Sequence, residues 1–77
     1  MEMELNSLRE GEAGTITKLC VCGAMRRRFM DFGLIEGTKI RCLRRCGSGS
    51  PILYCVRGTM LALRCKDSKN IRIEPCE

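Results

Sequence analysis

The chain has 77 residues and a formal net charge of +5, which allows one small domain, spanning residues 1–77. It contains no histidine, so an imidazole metal site and a histidine general base are excluded. No stretch reaches the roughly 20 apolar residues that cross a bilayer, and the acidic first residues lack the apolar run of a signal peptide. We therefore expect a soluble, cytoplasmic protein.

The first half of the chain predicts a strand followed by a short helix. The segment TITKL is rich in β-branched residues and predicts a strand at about residues 14–20. In the helical stretch that follows, Met25, Phe29 and Phe32 fall at i, i+4 and i+7, which is one helix face. Gly33 comes directly after this stripe and predicts the left-handed residue that ends a helix. We expect both phenylalanines to lie in the core.

The second half predicts short antiparallel strands. A turn at 36–37 precedes KIRCLRR, where apolar and charged residues alternate. In ILYCVRGTMLALRC, two apolar runs flank Arg57 and Gly58, which indicates a tight hairpin. CGSGSP predicts a loop, KDSKN predicts a turn, and IRIEP predicts a last strand with Ile71 and Ile73 inward. The prediction is a mostly β fold: a small, SH3-like, partly open barrel of about five strands with one short helix after the first strand.

Basic residues are concentrated in the middle of the chain. Residues 18–45 hold eight basic residues and two acidic ones, whereas residues 1–17 hold one basic and four acidic. Such a patch favours an acidic partner, and a solvated helix face is the alternative. Single-stranded nucleic acid also needs aromatic stacking platforms, but the chain has no Trp, one Tyr and two Phe. We therefore expect no nucleic-acid partner. A small nucleic-acid-binding barrel remains the least favoured of the functional alternatives.

The chain contains seven cysteines, four of which have spacings that return to one face of a strand. If the two segments were neighbours, four sulfurs would converge as tetrahedral Zn(II) or an iron–sulfur cluster requires. The candidate ligands are Cys20, Cys22, Cys42 and Cys46. The alternative is that cysteines pack as small apolar residues, which best suits Cys55 and Cys65.

We predict no catalytic residues. The GSGS segment lacks the lysine and the following helix of a phosphate-binding loop. A cysteine nucleophile would need a second group to complete a mechanism, and the sequence offers none. The protein is therefore expected to be a binding or regulatory module and not an enzyme.

Taken in order, several segments resemble the ferrous iron transport protein A (FeoA) family. They are L..L..GE.G.I..L (5–19), RRRFMDFGLIEGT (26–38), Gly49 with Pro51 and Ile52, VRGTMLALR (56–64) and IRIE (71–74). The departures are Glu36, where the family usually has proline, the loop CGSGSP, and the seven cysteines. The resemblance covers nearly the whole chain and implies an SH3-like barrel with a helix after the first strand.

The resemblance also implies a function. It implies a non-enzymatic cytoplasmic accessory protein of bacterial ferrous iron uptake, which interacts with and modulates a membrane permease that has a cytoplasmic GTP-binding domain. It further implies transition metal ion binding, with Fe(II) or Zn(II) as the ions to test. Similar barrels occur in metal-dependent repressors, so the alternative is a metal-responsive regulatory domain with a cysteine site. We expect the partner surface on the helix and its flanking loop, formed by Met25, Arg26, Arg27 and Met30 with Leu34 and Ile35 as support.

Overall fold

The computed structural model describes residues 1–45, 47 and 51–76. Within these ranges the chain forms six antiparallel strands in one sheet, with strand order β1-β6-β2-β3-β4-β5. The strands are β1 (Met3–Glu4), β2 (Ala13–Leu19), β3 (Lys39–Arg45), β4 (Ile52–Val56), β5 (Thr59–Leu63) and β6 (Ile71–Cys76). The helices are α1 (Gly23–Asp31), α2 (Cys65–Ser68) and a 3-10 turn (Leu5–Ser7). The predicted mostly β fold is confirmed, with β1 and α2 as additions to it.

Strand β2 lies at the centre of the sheet and pairs with two neighbours. Its first residues pair with β3, and its whole length pairs with β6. The register shifts between Ile16 and Lys18 on β2, and between Cys42 and Arg44 on β3. Such irregularities increase the local twist and bend the strand, which lets a short sheet curl into a partly open barrel.

The core is filled by alternate residues of the long strands. The isoleucines of β6 are buried as predicted, and alternate residues of β3 and β4 are buried with them. These residues are Ile52, Tyr54, Val56, Ile40, Cys42, Ile71 and Ile73. Gly14 of β2 lies against β6 so closely that an added Cβ would come within 2.6 Å of Ile73 Cδ1. This close approach explains why the strand carries glycine there.

Helix α1 ends as the sequence predicts. Gly33 has a φ of +87°. Its N–H donates to the carbonyl oxygen of Met30, and the Leu34 N–H donates to that of Phe29, both over 2.9 Å. These two bonds are the pair that defines a Schellman ending, and they satisfy carbonyls that the end of the helix leaves free.

The prediction that both phenylalanines lie in the core is half wrong. Phe29 is only 3% exposed and inserts into the core, whereas Phe32 is 46% exposed. Phe32 is the residue that caps the nine-residue helix α1, so it stands at the rim of the barrel, beyond the turn that packs inward. Helical periodicity identified the correct face but not how far along that face the core extends.

Neither described helix meets the length and apolarity required to span a bilayer. The longer one, α1, has nine residues and contains three arginines.

Candidate partner-binding and metal-binding surfaces

The predicted partner surface lies mostly on the solvent side of α1 and of the turn after it. Its exposed members are Met25, Arg26, Arg27, Met30 and Ile35. Leu34 is different, because it is fully buried and belongs to the core cluster. Leu34 therefore supports this surface from inside, by holding the end of α1 in place, and does not itself reach a partner.

The charges at the start of α1 are not arranged to stabilise the helix. Its first turn contains no acidic residue, and the N-cap Cys22 makes no side-chain capping bond. The positive end of the helix dipole therefore adds to the positive charge of Arg26 and Arg27 in the next turn. The helix is held by the burial of Phe29 and by the Schellman ending. The two arginines leave a positive surface that favours an acidic partner.

The structure separates the candidate thiol ligands. Cys20 and Cys22 are exposed, just after β2. Cys42 is buried in β3, where its N–H donates to the Glu12 carbonyl oxygen over 2.8 Å. Because Glu12 precedes Cys20 by eight residues, about 25 Å of strand path separates the two positions. Cys46 lies outside the described residues.

The Cys42 thiol has the environment of a core residue. Burial raises the pKa of the Cys42 thiol above its ordinary value, and the nearby Arg45 charge opposes this only in part. A metal ligand must be a thiolate, so this environment disfavours metal binding at Cys42. In the part of the chain that the structure describes, no three cysteine or carboxylate side chains are grouped to hold a metal ion. The described residues therefore do not fit a resident metal.

Two arginines of β3 have a structural role that the sequence analysis missed. Arg45 donates from Nη1 to the carbonyl oxygens of Asn6 at 2.6 Å and Leu8 at 2.8 Å. Arg41 donates from Nη1 to the carbonyl oxygen of Gly11 at 2.6 Å. Both bind the segment between β1 and β2 onto β3. The available signal was the charge division between residues 1–17 and 18–45, which indicates that the two segments attract each other.

A groove that the sequence analysis also missed lies between α1 and β5. We call it the α1–β5 groove, and its volume is about 260 Å³. One wall is the helix stripe Met25, Arg28, Phe29 and Phe32. The other wall is Leu61–Arg64, with Pro51 and Asp67 also contributing. The two phenylalanines of this wall were visible in the sequence, but both were assigned to the core.

The chain matches the family model described as the FeoA domain over residues 3–75. No curated protein sequence gives a significant match. Among solved structures, the NMR structure of FeoA from Chlorobium tepidum is 32% identical, with a TM-score of 0.89. The match covers 97% of this chain and 71% of that one.

Two further structures extend the comparison. Stenotrophomonas maltophilia FeoA complexed with zinc is 25% identical, with a TM-score of 0.77, over 94% of this chain and 89% of that one. It is described as a prokaryotic SH3 domain protein and as a suggested ferrous iron transport activating factor.

A manganese-dependent transcriptional repressor, complexed with manganese, is 21% identical, with a TM-score of 0.88. That match covers 97% of this chain and 37% of the repressor, and at this identity it shows the fold alone. Because the family model spans nearly the whole chain and the fold agrees with it, this chain belongs to the FeoA domain family, the small SH3-like proteins associated with ferrous iron transport.

Proposed function

We propose that this protein is a non-enzymatic, cytoplasmic accessory of ferrous iron uptake that binds the ferrous iron permease and modulates transport. The observation that carries the proposal is the exposed, basic, methionine-bearing surface of α1 in a chain of the FeoA family. The partner surface would be acidic and would lie on the cytoplasmic side of the permease, where its GTP-binding domain is expected.

The composition of this α1 surface suits a protein contact. Arg26 and Arg27 supply charge, and arginine is enriched in interfaces because its planar group bonds carboxylates in two-pronged geometry. Met25, Met30 and Ile35 lie beside them and are 37%, 46% and 37% exposed. Methionine side chains adapt their shape to a partner and can be buried against it. The arginines speed association with an acidic partner by electrostatic attraction.

No step of the proposed activity requires a metal bound to this chain. Ferrous iron is the cargo of the permease. The zinc complex concerns the Stenotrophomonas protein, and the described residues of this chain do not group ligands for such an ion. The proposed role is therefore to act on the permease by contact.

The test is a double charge reversal. Arg26→Glu combined with Arg27→Glu should abolish co-purification with the permease and lower iron uptake to the level of a strain that lacks this protein. The matched control is Lys66→Glu with Lys69→Glu, which changes the net charge equally at exposed positions in and beside α2. The control should keep both activities. Wild-type uptake and permease binding in the Arg26/Arg27 variant would refute the proposal.

A further inference from the structure

Strand β5 is at the edge of the sheet, and among the described strands only β4 pairs with it. It follows β4 through a two-residue turn, where Arg57 and Gly58 have φ values of 53° and 81°. The residues that flank such a turn, Val56 and Thr59, form a hydrogen-bonded pair, and bonded and non-bonded pairs then alternate. The N–H and C=O groups of Met60 and Ala62 therefore point away from β4, toward the open edge.

The α1–β5 groove lies along this edge. Its helix wall uses positions i, i+3, i+4 and i+7 of α1, which face the strand together. From Met25 to Phe32 that wall rises about 10 Å. The strand wall, Leu61–Arg64, extends about 10 Å. Each wall therefore has about the length of four residues of extended chain.

Most of the described residues that line the groove are apolar. On the helix wall Phe29 is buried, and Met25 and Phe32 are partly exposed. A Cβ added to Gly33 would lie 3.4 Å from Arg57 Cδ, so the end of α1 lies against the β4–β5 turn. The groove is thus bounded at the end near the hairpin. An exposed aromatic side chain next to a strand edge is typical of a binding surface, because a partner that covers it buries apolar area and pairs with the edge.

The charges at the groove select an acidic occupant. Arg28 lies on the helix wall and Arg64 at the end of the strand wall, and Asp67 is the one acidic residue among the described residues of the lining. A second copy of this basic chain would bring like charges together at this edge, whereas an acidic segment would pair with both arginines.

We propose that the α1–β5 groove binds an extended, acidic segment of a partner protein, which adds to the edge of β5 as a further strand. Its backbone would bond to Met60 and Ala62, and its alternate apolar side chains would lie between Phe32 and Leu61. Peptide recognition between an edge strand and a helix is a recurring mode of binding, in which the backbone gives affinity and the pockets give specificity. The proposal goes beyond the proposed function, because it concerns any partner that carries such a segment and does not depend on the Arg26–Arg27 surface.

The probe is a capped synthetic pentapeptide, acetyl-Glu-Val-Thr-Val-Glu-amide, titrated into the ¹⁵N-labelled protein. The largest shifts are expected at the amides of Met60, Ala62 and the second half of α1. Hydrogen exchange of the Ala62 amide should slow on binding. A peptide with lysine in place of both glutamates should bind about tenfold more weakly, because it meets Arg28 and Arg64. Shifts confined to other surfaces, or equal binding of the two peptides, would overturn the proposal.

Two substitutions at Ala62 separate the contribution of its backbone N–H to peptide affinity from that of the side chains. Ala62→Pro removes the outward N–H but no bond to β4, and it should weaken binding about tenfold, the loss expected for about 1.4 kcal/mol. Ala62→Val keeps the N–H and should keep the affinity. If the proline variant does not fold, Phe32→Ala provides the deciding measurement, because this exposed side chain forms part of the groove wall. Unchanged peptide affinity in the folded proline variant, or in Phe32→Ala, would count against strand addition.

Two controls keep this proposal distinct from the proposed function. Arg28→Glu should weaken peptide binding, whereas Arg26→Glu, outside the groove lining, should not. The Arg26/Arg27 variant can thus lose permease binding and still bind the peptide, which would support both proposals separately. Light scattering that detects a dimer, lost on Ala62→Pro, would identify a second copy as the occupant and overturn the proposal.

Discussion

Arg45 donates from Nη1 to the carbonyl oxygen of Asn6 over 2.6 Å, across 39 positions of the chain. The same nitrogen reaches the carbonyl oxygen of Leu8, so one side chain binds two backbone groups of the segment before β2. Leu5 and Leu8 of this segment are buried in the core. The end of β3 therefore helps to hold the first part of the core in place.

Arg45→Ala is expected to destabilise the fold, because it removes charge-assisted bonds to two carbonyl oxygens. We expect a loss of about 2 kcal/mol in the free energy of unfolding. The measurement is urea denaturation followed by circular dichroism. The neighbouring exposed residue provides the control: Arg44→Ala should change this free energy by less than about 0.5 kcal/mol. Equal midpoints for both variants would mean that the Arg45 bonds contribute nothing to stability.

Gly33→Ala is expected to destabilise the end of α1, because Gly33 has a φ of +87°. A residue with a Cβ in this conformation costs about 1–2 kcal/mol. For a domain of this size, each kcal/mol lowers the melting temperature by about 4–8 °C. Gly33→Asn should lose less, since asparagine tolerates the left-handed region. An alanine variant that melts at the wild-type temperature would contradict this account of the helix ending.

The parts of the fold that the sequence predicted depend on local rules. Gly33 ends a helix, Arg57 with Gly58 forms a two-residue turn, and Ile71 with Ile73 alternates inward. Strand β1 was not predicted, because two residues carry no periodicity. Strand β1 is defined by its pairing with β6. In this pairing Met3 lies opposite Ile73, a residue far away in the sequence. Propensity and pattern do not encode such long-range pairing.

The candidate surfaces were predicted less completely than the fold. Arg26, Arg27, Met25 and Met30 of α1 are exposed, and Leu34, which was predicted to support them, is buried. Cysteine spacing predicted a shared face within each segment and could not indicate which ends of β2 and β3 are adjacent. The α1–β5 groove requires knowledge of which strand is at the edge, and that depends on the order of all six strands.

The two phenylalanines of α1 should respond differently to truncation. Phe29→Ala should cost about 3–5 kcal/mol, because it empties part of the core. Phe32→Ala should cost less than about 1 kcal/mol, since the ring is already partly in solvent. Thermal unfolding of the two variants, compared with the wild type, gives the measurement. A loss at Phe32 as large as that at Phe29 would mean that the rim position is part of the core after all.

Tyr54 predicts how stability changes at alkaline pH. The residue is fully buried, and among the described residues no hydrogen-bond partner is assigned to its hydroxyl. Burial raises the pKa of Tyr54 from its ordinary value of 10 to about 12, and the neighbouring Ser68 hydroxyl opposes this effect only in part. The folded state therefore keeps its proton in a range where the unfolded chain loses it. This contribution to stability is complete below pH 10 and falls between about pH 10 and 12.

The loss should reach about 3 kcal/mol, because the pKa difference is about two pH units and each pH unit corresponds to about 1.4 kcal/mol. Cys42 adds a loss of the same sign that begins above its ordinary pKa of 9.0, because burial raises the pKa of that thiol too. Tyr54→Phe should be near neutral or slightly stabilising at pH 7, since it removes a buried hydroxyl to which the described residues assign no hydrogen-bond partner. It should also be clearly more stable than the wild type at pH 11. Chemical denaturation at a series of pH values provides the measurement, and an identical alkaline decline in the two proteins would show that Tyr54 titrates normally in the fold.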